Sequence, residues 1–145
     1  MNQELITRAS NIINAKTGYI WEGYASLSLI DENGYPSAAT FAIVKAEGIQ
    51  WLAFATRPSR GYAKRISKNN RACVCINSAE YNINLVGRVE AFTDLQTKSE
   101  MWIPNTAMEH LWSGVDDPDL LILRFTTERY SLWFKEDWSS AAGEI

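Results

Sequence analysis

The spacing of hydrophobic positions changes along the chain. Leu5, Ile6, Ala9, Ile12 and Ile13 recur at helical spacing, which predicts an amphipathic helix over residues 3–16, ended at Gly18. The period then shortens to two. Ala25, Leu27 and Leu29 alternate with Ser26 and Ser28, the pattern of a half-buried strand. DENG (31–34) ends in Asn-Gly, the strongest short hairpin signal, and PSAATFAIVKA (36–46) returns as a second strand. Glu47 and Gly48 turn the chain into a third strand, IQWLAFAT (49–56). After Pro58, residues 59–69 read as a short helix with Ala63 and Ile66 facing inward. ACVCIN (72–77) and INLVGRVEAF (83–92) supply strands four and five, and Gly87 marks a bulge or a close backbone approach. Thr93 with Gln96 forms a capping-box pattern and predicts a helix over about 94–102. A second short helix after Pro104 carries Met108, Leu111 and Trp112. DLLILRF (119–125) and RYSLWF (129–134) close the set as strands six and seven, and the tail over about 135–145 lacks periodicity and reads as loose. The expected fold is one domain over residues 1–145, mainly β with short helices: a small barrel of six to seven antiparallel strands with helical caps.

Composition agrees with this picture. A chain of 145 residues with 46% hydrophobic positions fits one domain with a real core. No apolar run approaches the roughly 18 residues that span a membrane, so no membrane partner is expected. The stretch MNQELITRAS lacks the basic-then-apolar order of a signal peptide. Cys73 and Cys75 would share one face of a strand, which suits buried thiols better than a disulfide. The expectation is a cytoplasmic protein.

Charge changes the picture more. Arg57, Arg60, Lys64, Arg65, Lys68 and Arg71 lie within fifteen residues, and no Asp or Glu occurs between Glu47 and Glu80. The chain has 14 basic residues against 17 acidic ones, so everything outside this segment is strongly acidic. A strand ending in Thr56, then a turn and a helix start, offers unpaired amides to a phosphate. Thr56 and Ser59 add hydroxyl donors, Arg60 can grip two phosphate oxygens, and Lys64 lies four residues on, on the same helical face. A solvated basic helix face is the plain alternative, but such a face ordinarily mixes both signs. Nucleic acid needs a wider basic field than a chain of net charge −3 provides, so no nucleic-acid partner is expected.

Other chemistry is sparse. His110 is the only histidine, with no Cys or His at metal-ligand spacing beside it, and no nucleophile elbow is present. Asp116, Asp117 and Asp119 surround Pro118 and follow Gly114, which favours a turn over a cation site. Among six tryptophans, Trp51 reads as core, while Trp102 and Trp112 read first as dimer interface and second as the wall of a flat ligand. A phosphate site without an acid–base or nucleophile set is what a protein needs when a bound cofactor carries the reactivity.

Taken in order and spacing, NGYPSAATF (33–41), WLAFATRPS (51–59), KRISKNNRACVCI (64–76), LVGRVEAFTD (85–94), SEMW (99–102) and GVDDPDLLILRF (114–125) resemble the pyridoxamine 5′-phosphate oxidase-like flavoproteins, in their general stress protein branch. The resemblance implies a split β-barrel, a homodimer, and FMN in a groove between protomers. It implies that Thr56, Ser59, Arg60 and Lys64 hold the FMN phosphate, and that the flavin ring runs beside Ala39–Ala42, with Thr40 and Phe41 in contact. It implies that Trp102 and Trp112 shape the groove. The sequence departs from the family where relatives carry a second-strand Arg (here Ala39–Thr40) and a Lys after the turn (here Tyr62). An Arg-Leu-His-type terminal strand is missing from RYSLWFKEDW, which argues against vitamin B6 oxidation. The implied function is that of an FMN-dependent oxidoreductase with a small-molecule substrate or an electron donor such as NAD(P)H. A non-catalytic ligand-binding or sensing barrel that has lost flavin chemistry is the alternative. The sequence leaves FMN, a deazaflavin and haem open as ligands.

Overall fold

The structure is a computed structural model and describes residues 2–18 and 23–145. Helix α1 (Asn2–Lys16) buries Leu5, Ala9 and Ile13, one residue per turn, and gives way at Gly18, whose φ is +85°. Strands β1 (Tyr24–Ile30), β2 (Pro36–Glu47) and β3 (Trp51–Thr56) follow as a meander. A 3-10 turn (Pro58–Arg60) and helix α2 (Tyr62–Lys68) lead to β4 (Arg71–Asn77) and β5 (Tyr81–Phe92). Helices α3 (Leu95–Met101) and α4 (Met108–Leu111) precede β6 (Leu121–Phe134) and β7 (Ser139–Glu144). The strands run in the order β3-β2-β1-β4-β5-β6-β7, and β3 also pairs antiparallel with β6. That last pairing closes six antiparallel strands into a barrel and leaves β7 as an added strand, the split-barrel architecture.

Two predicted strands prove to be one. Residues 121–134 form a continuous strand of 14 residues, although Thr126, Thr127 and Glu128 interrupt its apolar pattern. Thr127 is buried because its polar groups are satisfied: its N–H donates to the Gln50 carbonyl at 3.0 Å and its hydroxyl to the Ile49 carbonyl. Glu128 is the extra residue of a bulge, since Val86 pairs with Arg129 and Gly87 with Thr127. Gly87 meets both expectations made of it. A β-carbon there would lie 2.0 Å from the Thr126 carbonyl oxygen, so only glycine lets the strands approach. The tail expected to be loose is instead strand β7, paired along Arg129–Phe134. Its small residues hid it: Gly143 leaves room for the Tyr130 ring, whose hydroxyl would sit 2.7 Å from a β-carbon.

Local signals shift by a residue or two for definable reasons. The helix expected over 59–69 breaks at Gly61, which adopts φ +77° between the 3-10 turn and α2. The cap of α3 is Asp94 rather than Thr93. Its carboxylate accepts the Thr97 N–H at 2.9 Å and the Thr97 hydroxyl at 2.8 Å. The Asn-Gly hairpin is present with a longer loop than two residues, because Asp31 accepts the N–H groups of Asn33 and Tyr35, each at 2.9 Å.

Two apolar layers result. Inside the barrel lie Leu27, Leu29, Ile43, Phe54, Leu85 and Phe125, each at most 1% exposed. Outside it, Val44, Ala53 and Ile122 are covered by Met101, Met108 and Trp112 from the α3–α4 segment. Trp51, expected in the core, is half-buried at the rim of this layer, with its indole N–H on Glu47 at 2.9 Å. Among the described residues, no such helical segment covers the outer faces of β1, β4 and β5. Replacing Gly87 by Ala should lower the stability by about 1–3 kcal/mol, as overpacking does. Urea unfolding checks it: the midpoint falls while the slope stays.

Candidate functional site

The barrel splits where β2 and β3 part. Their pairing ends at Ile43 and Phe54, yet β2 continues to Pro36 bonded to β1 alone. The opening is filled by aromatic rings. Phe41 of β2 meets Phe54 of β3 at 5.9 Å and Tyr62 of α2 at 5.2 Å, both edge to face. Each such pair contributes about 0.5–1.5 kcal/mol beyond burial. The triad therefore ties α2 and its preceding turn to the split, and Arg60 of the turn and Lys64 of α2 stand on either side of Gly61 rather than on one helical face. Thr40 points outward, exposed, opposite Ser26 of β1.

The acid-free segment is not acid-free in space. Arg65 pairs with Glu32 at 3.0 Å and lies over the Tyr62 ring. Arg57 pairs with Asp119, donates to the Leu111 carbonyl at 2.9 Å, and lies 5.4 Å from the centre of the Trp112 ring. Arg60 and Lys64 are different: like Lys68 and Arg71 farther along, they are exposed and form no ion pair with a described residue. The hydroxyls of Thr56 and Ser59 likewise make no hydrogen bond to a described side chain or carbonyl. Two cations and two hydroxyls thus stand unspent around Gly61, the donor set that a phosphate monoester needs.

Other predicted residues fall elsewhere. Phe41 is buried in the barrel, so only its backbone borders the outer face. Trp112, expected to shape a groove, is 6% exposed beneath α4, and its indole N–H donates to the Asp119 carbonyl at 2.9 Å. Trp102 caps α3 and packs half-buried on the outer apolar layer. Cys73 and Cys75 are free thiols on the outer face of β4, half-buried, with Sγ to Asn84 Oδ1 3.0 Å and to Asn82 Oδ1 3.5 Å. Burial pushes both thiols above their ordinary value. The aspartate cluster builds a loop. Asp117 accepts the N–H groups of Ser113 at 2.9 Å and Asp119 at 2.8 Å, which holds its carboxyl below the ordinary value of 3.8. Among the described residues no three His, Cys, Asp or Glu side chains are grouped to hold a metal ion. No described helix is long and apolar enough to cross a membrane.

Residues 23–143 match the family model described as pyridoxamine 5′-phosphate oxidase like. The chain belongs to this family. No curated protein gives a significant match. Among solved structures, the chain is similar to a Clostridium acetobutylicum protein related to general stress protein 26 of the pyridoxinephosphate oxidase family. That likeness has a TM-score of 0.82 at 21% identity, over 100% of this chain and 97% of that one. A general stress FMN/FAD binding protein of Xanthomonas citri matches with a TM-score of 0.74 at 18% identity, over 99% and 96% of the two chains. A heme binding protein of Mycobacterium smegmatis matches with a TM-score of 0.69 at 15% identity, over 94% of this chain and 56% of that one. Identities this low speak for the shared fold.

Within this family barrel, two features escaped the sequence reading. Tyr62 stands where relatives were expected to carry a Lys, and it is used as packing against Phe41. Lys98, 5% exposed, donates its ammonium to the Asp117 carbonyl at 3.0 Å and so pins the aspartate loop from beneath. An i,i+3 alternation inside α3 gave no sign of a buried cation. The depressed Asp117 carboxyl has a pH consequence. It contributes stability that is present above its unfolded value and is lost as pH falls through the lower native one. Asp117→Asn should therefore be less stable than the parent at pH 7, with the gap closing below about pH 4. Thermal unfolding across pH checks this, and a gap that does not narrow as the pH falls below about 4 would contradict it.

Proposed function

We propose that this protein binds FMN, acts as a homodimer, and serves as a flavin-dependent oxidoreductase. The observation that carries the proposal is the pair of unspent cations, Arg60 and Lys64, beside the Thr56 and Ser59 hydroxyls at the barrel split, while neighbouring Arg57 and Arg65 are neutralised. The donor set fits a phosphate monoester. Arg60 and Lys64 would neutralise it, Thr56 and Ser59 would donate to it, and the outer face of β2 at Thr40 would border the ring. FMN, when bound, supplies electron transfer in one- or two-electron steps. The protein's part is then to bind, orient and set polarity, consistent with a site that offers no carboxylate, histidine or thiol of its own among these residues. The Xanthomonas citri relative, described as binding FMN or FAD, supports the same reading.

Dimerisation has its own support. The middle of the outer faces of β1, β4 and β5 is uncharged, with Ser26, Ser28, Cys73, Cys75, Asn82 and Asn84, while Arg71, Arg88 and Glu90 stand on the same faces toward one end. Depletion of charge is the compositional mark of an interface core. A second copy would also deepen a site that is shallow on one barrel. A non-catalytic flavin-binding module is the second reading, favoured by Tyr62, which adds packing where a cation would add charge. A nicotinamide electron donor such as NADH or NADPH separates the two readings, since only the first turns it over.

Titration of flavin fluorescence tests the cofactor. The parent should bind FMN, and Arg60→Ala should weaken binding about 10–100-fold, the loss expected when about 1.5–3 kcal/mol of charged hydrogen bonding is removed. Failure of the parent to bind FMN sinks the proposal, and a new visible band on adding haem instead would redirect it to that ligand. In sedimentation at micromolar concentration the protein should be a dimer and Ser26→Glu should shift it to monomer. A parent that stays monomeric would contradict the interface.

A further inference from the structure

The basic segment contains two kinds of arginine, and we infer that Arg57 is a positioning residue that sets the phosphate turn from outside rather than a ligand of the phosphate. The inference rests on the FMN reading above for its ligand and on the structure for its mechanics. The main chain of Arg57 opens the turn: its carbonyl accepts the Arg60 N–H at 3.1 Å, and the Pro58 carbonyl accepts the Gly61 N–H at 3.1 Å. Pro58, Ser59, Arg60 and Gly61 are all exposed. Their side chains reach no described partner, so the turn is held through its two ends, on the α2 side by the Tyr62 ring against Phe41. At its start the Arg57 side chain does this. It crosses to the loop after α4, donates to the Leu111 carbonyl at 2.9 Å, pairs with Asp119 and lies on the Trp112 ring.

What it holds is itself held. Trp112 is buried and donates to the Asp119 carbonyl, the Asp119 N–H donates to the Asp117 carboxylate at 2.8 Å, and the buried Lys98 ammonium donates to the Asp117 carbonyl. A rigid path therefore runs from α3 through the aspartate loop to the start of the turn. Groups that bind well must be held within a fraction of an ångström, and this path does so for Ser59 and Arg60. A guanidinium with its fork engaged by a carboxylate and a carbonyl has little left to offer a phosphate.

The two roles predict opposite signs. Were Arg57 a phosphate ligand in competition with Asp119, Asp119→Asn would release it, remove a negative charge, and tighten FMN binding. As a positioning residue it needs Asp119, so Asp119→Asn should weaken FMN roughly tenfold, within the range of coupling between contacting residues. Riboflavin, which lacks the phosphate, should be unaffected. Arg57→Lys keeps the charge and loses the fork, and should weaken FMN similarly. The double variant should be no worse than either single one, because both remove the same link.

The experiment uses the full chain: FMN and riboflavin titrations of the parent, Asp119→Asn, Arg57→Lys and the double variant. Amide hydrogen exchange at Arg60 and Gly61 accompanies them. Weaker FMN binding, unchanged riboflavin binding and faster exchange at both amides is the expected result. Tighter FMN binding by Asp119→Asn, or unchanged affinity, or unchanged exchange overturns it. If the parent binds no FMN, the cofactor reading fails on that titration, and the positioning role is decided by the exchange alone, faster supporting it and unchanged overturning it.

Discussion

The antiparallel pairing of β3 with β6 is the constraint on which the molecule depends. Along Ile122–Thr126 strand β6 is bonded on both edges, to β3 on one side and β5 on the other, and this closes the barrel. Along Arg129–Phe134 it is bonded to β5 and β7 instead. The Glu128 bulge lies between the two halves and lets one strand serve both, at a place where Gly87 permits an approach no side chain would. The same pairing sets Thr56 opposite Leu121. Arg57, the next residue, is thereby delivered to the end of the barrel where Asp119 precedes β6. The closure that makes the core also makes the link between the basic turn and the aspartate loop.

The outer apolar layer follows from that closure. Ile122 and Ala53 present one continuous outward surface only because β3 and β6 are neighbours, and the α3–α4 segment covers it. The buried cation Lys98 is accommodated by a carbonyl rather than a carboxylate. Three loops of the chain (the basic turn, the aspartate loop and the α4 end) thus converge on Trp112, which acts as packing where the sequence pattern suggested first a dimer interface and second a wall for a ligand.

How much of this the sequence disclosed depends on distance along the chain. Strands β1 to β5 were legible because their apolar residues alternate or cluster between turn residues. The Thr56–Lys64 donor set was legible because it is local. The join of strands 119–125 and 129–134 was not, since Thr127 is buried through hydrogen bonds to Ile49 and Gln50, which are remote in sequence. Strand β7 was not, since SSAAGE earns its place by being small beside Tyr130. The neutralisation of Arg57 by Asp119, 62 residues away, and of Arg65 by Glu32, 33 residues away, was invisible in a segment without acids of its own. The Phe41–Tyr62 contact is of the same kind: each residue fits its own local pattern, and only the split of the barrel brings them together.

The uneven spending of charge sets how an anion experiences this molecule. With a net charge of −3 and two of the basic segment's six cations already neutralised, the other four, Arg60, Lys64, Lys68 and Arg71, attract only within about a Debye length, roughly 8 Å at physiological ionic strength. An anionic ligand is therefore not steered in from afar. Its arrival is slowed by the acidic surface, its residence is governed by short-range contacts, and added salt hastens both its arrival and its departure. Selectivity at such a site comes from fit at contact, which favours one compact dianion over a long polyanion that would have to lie across the acidic remainder.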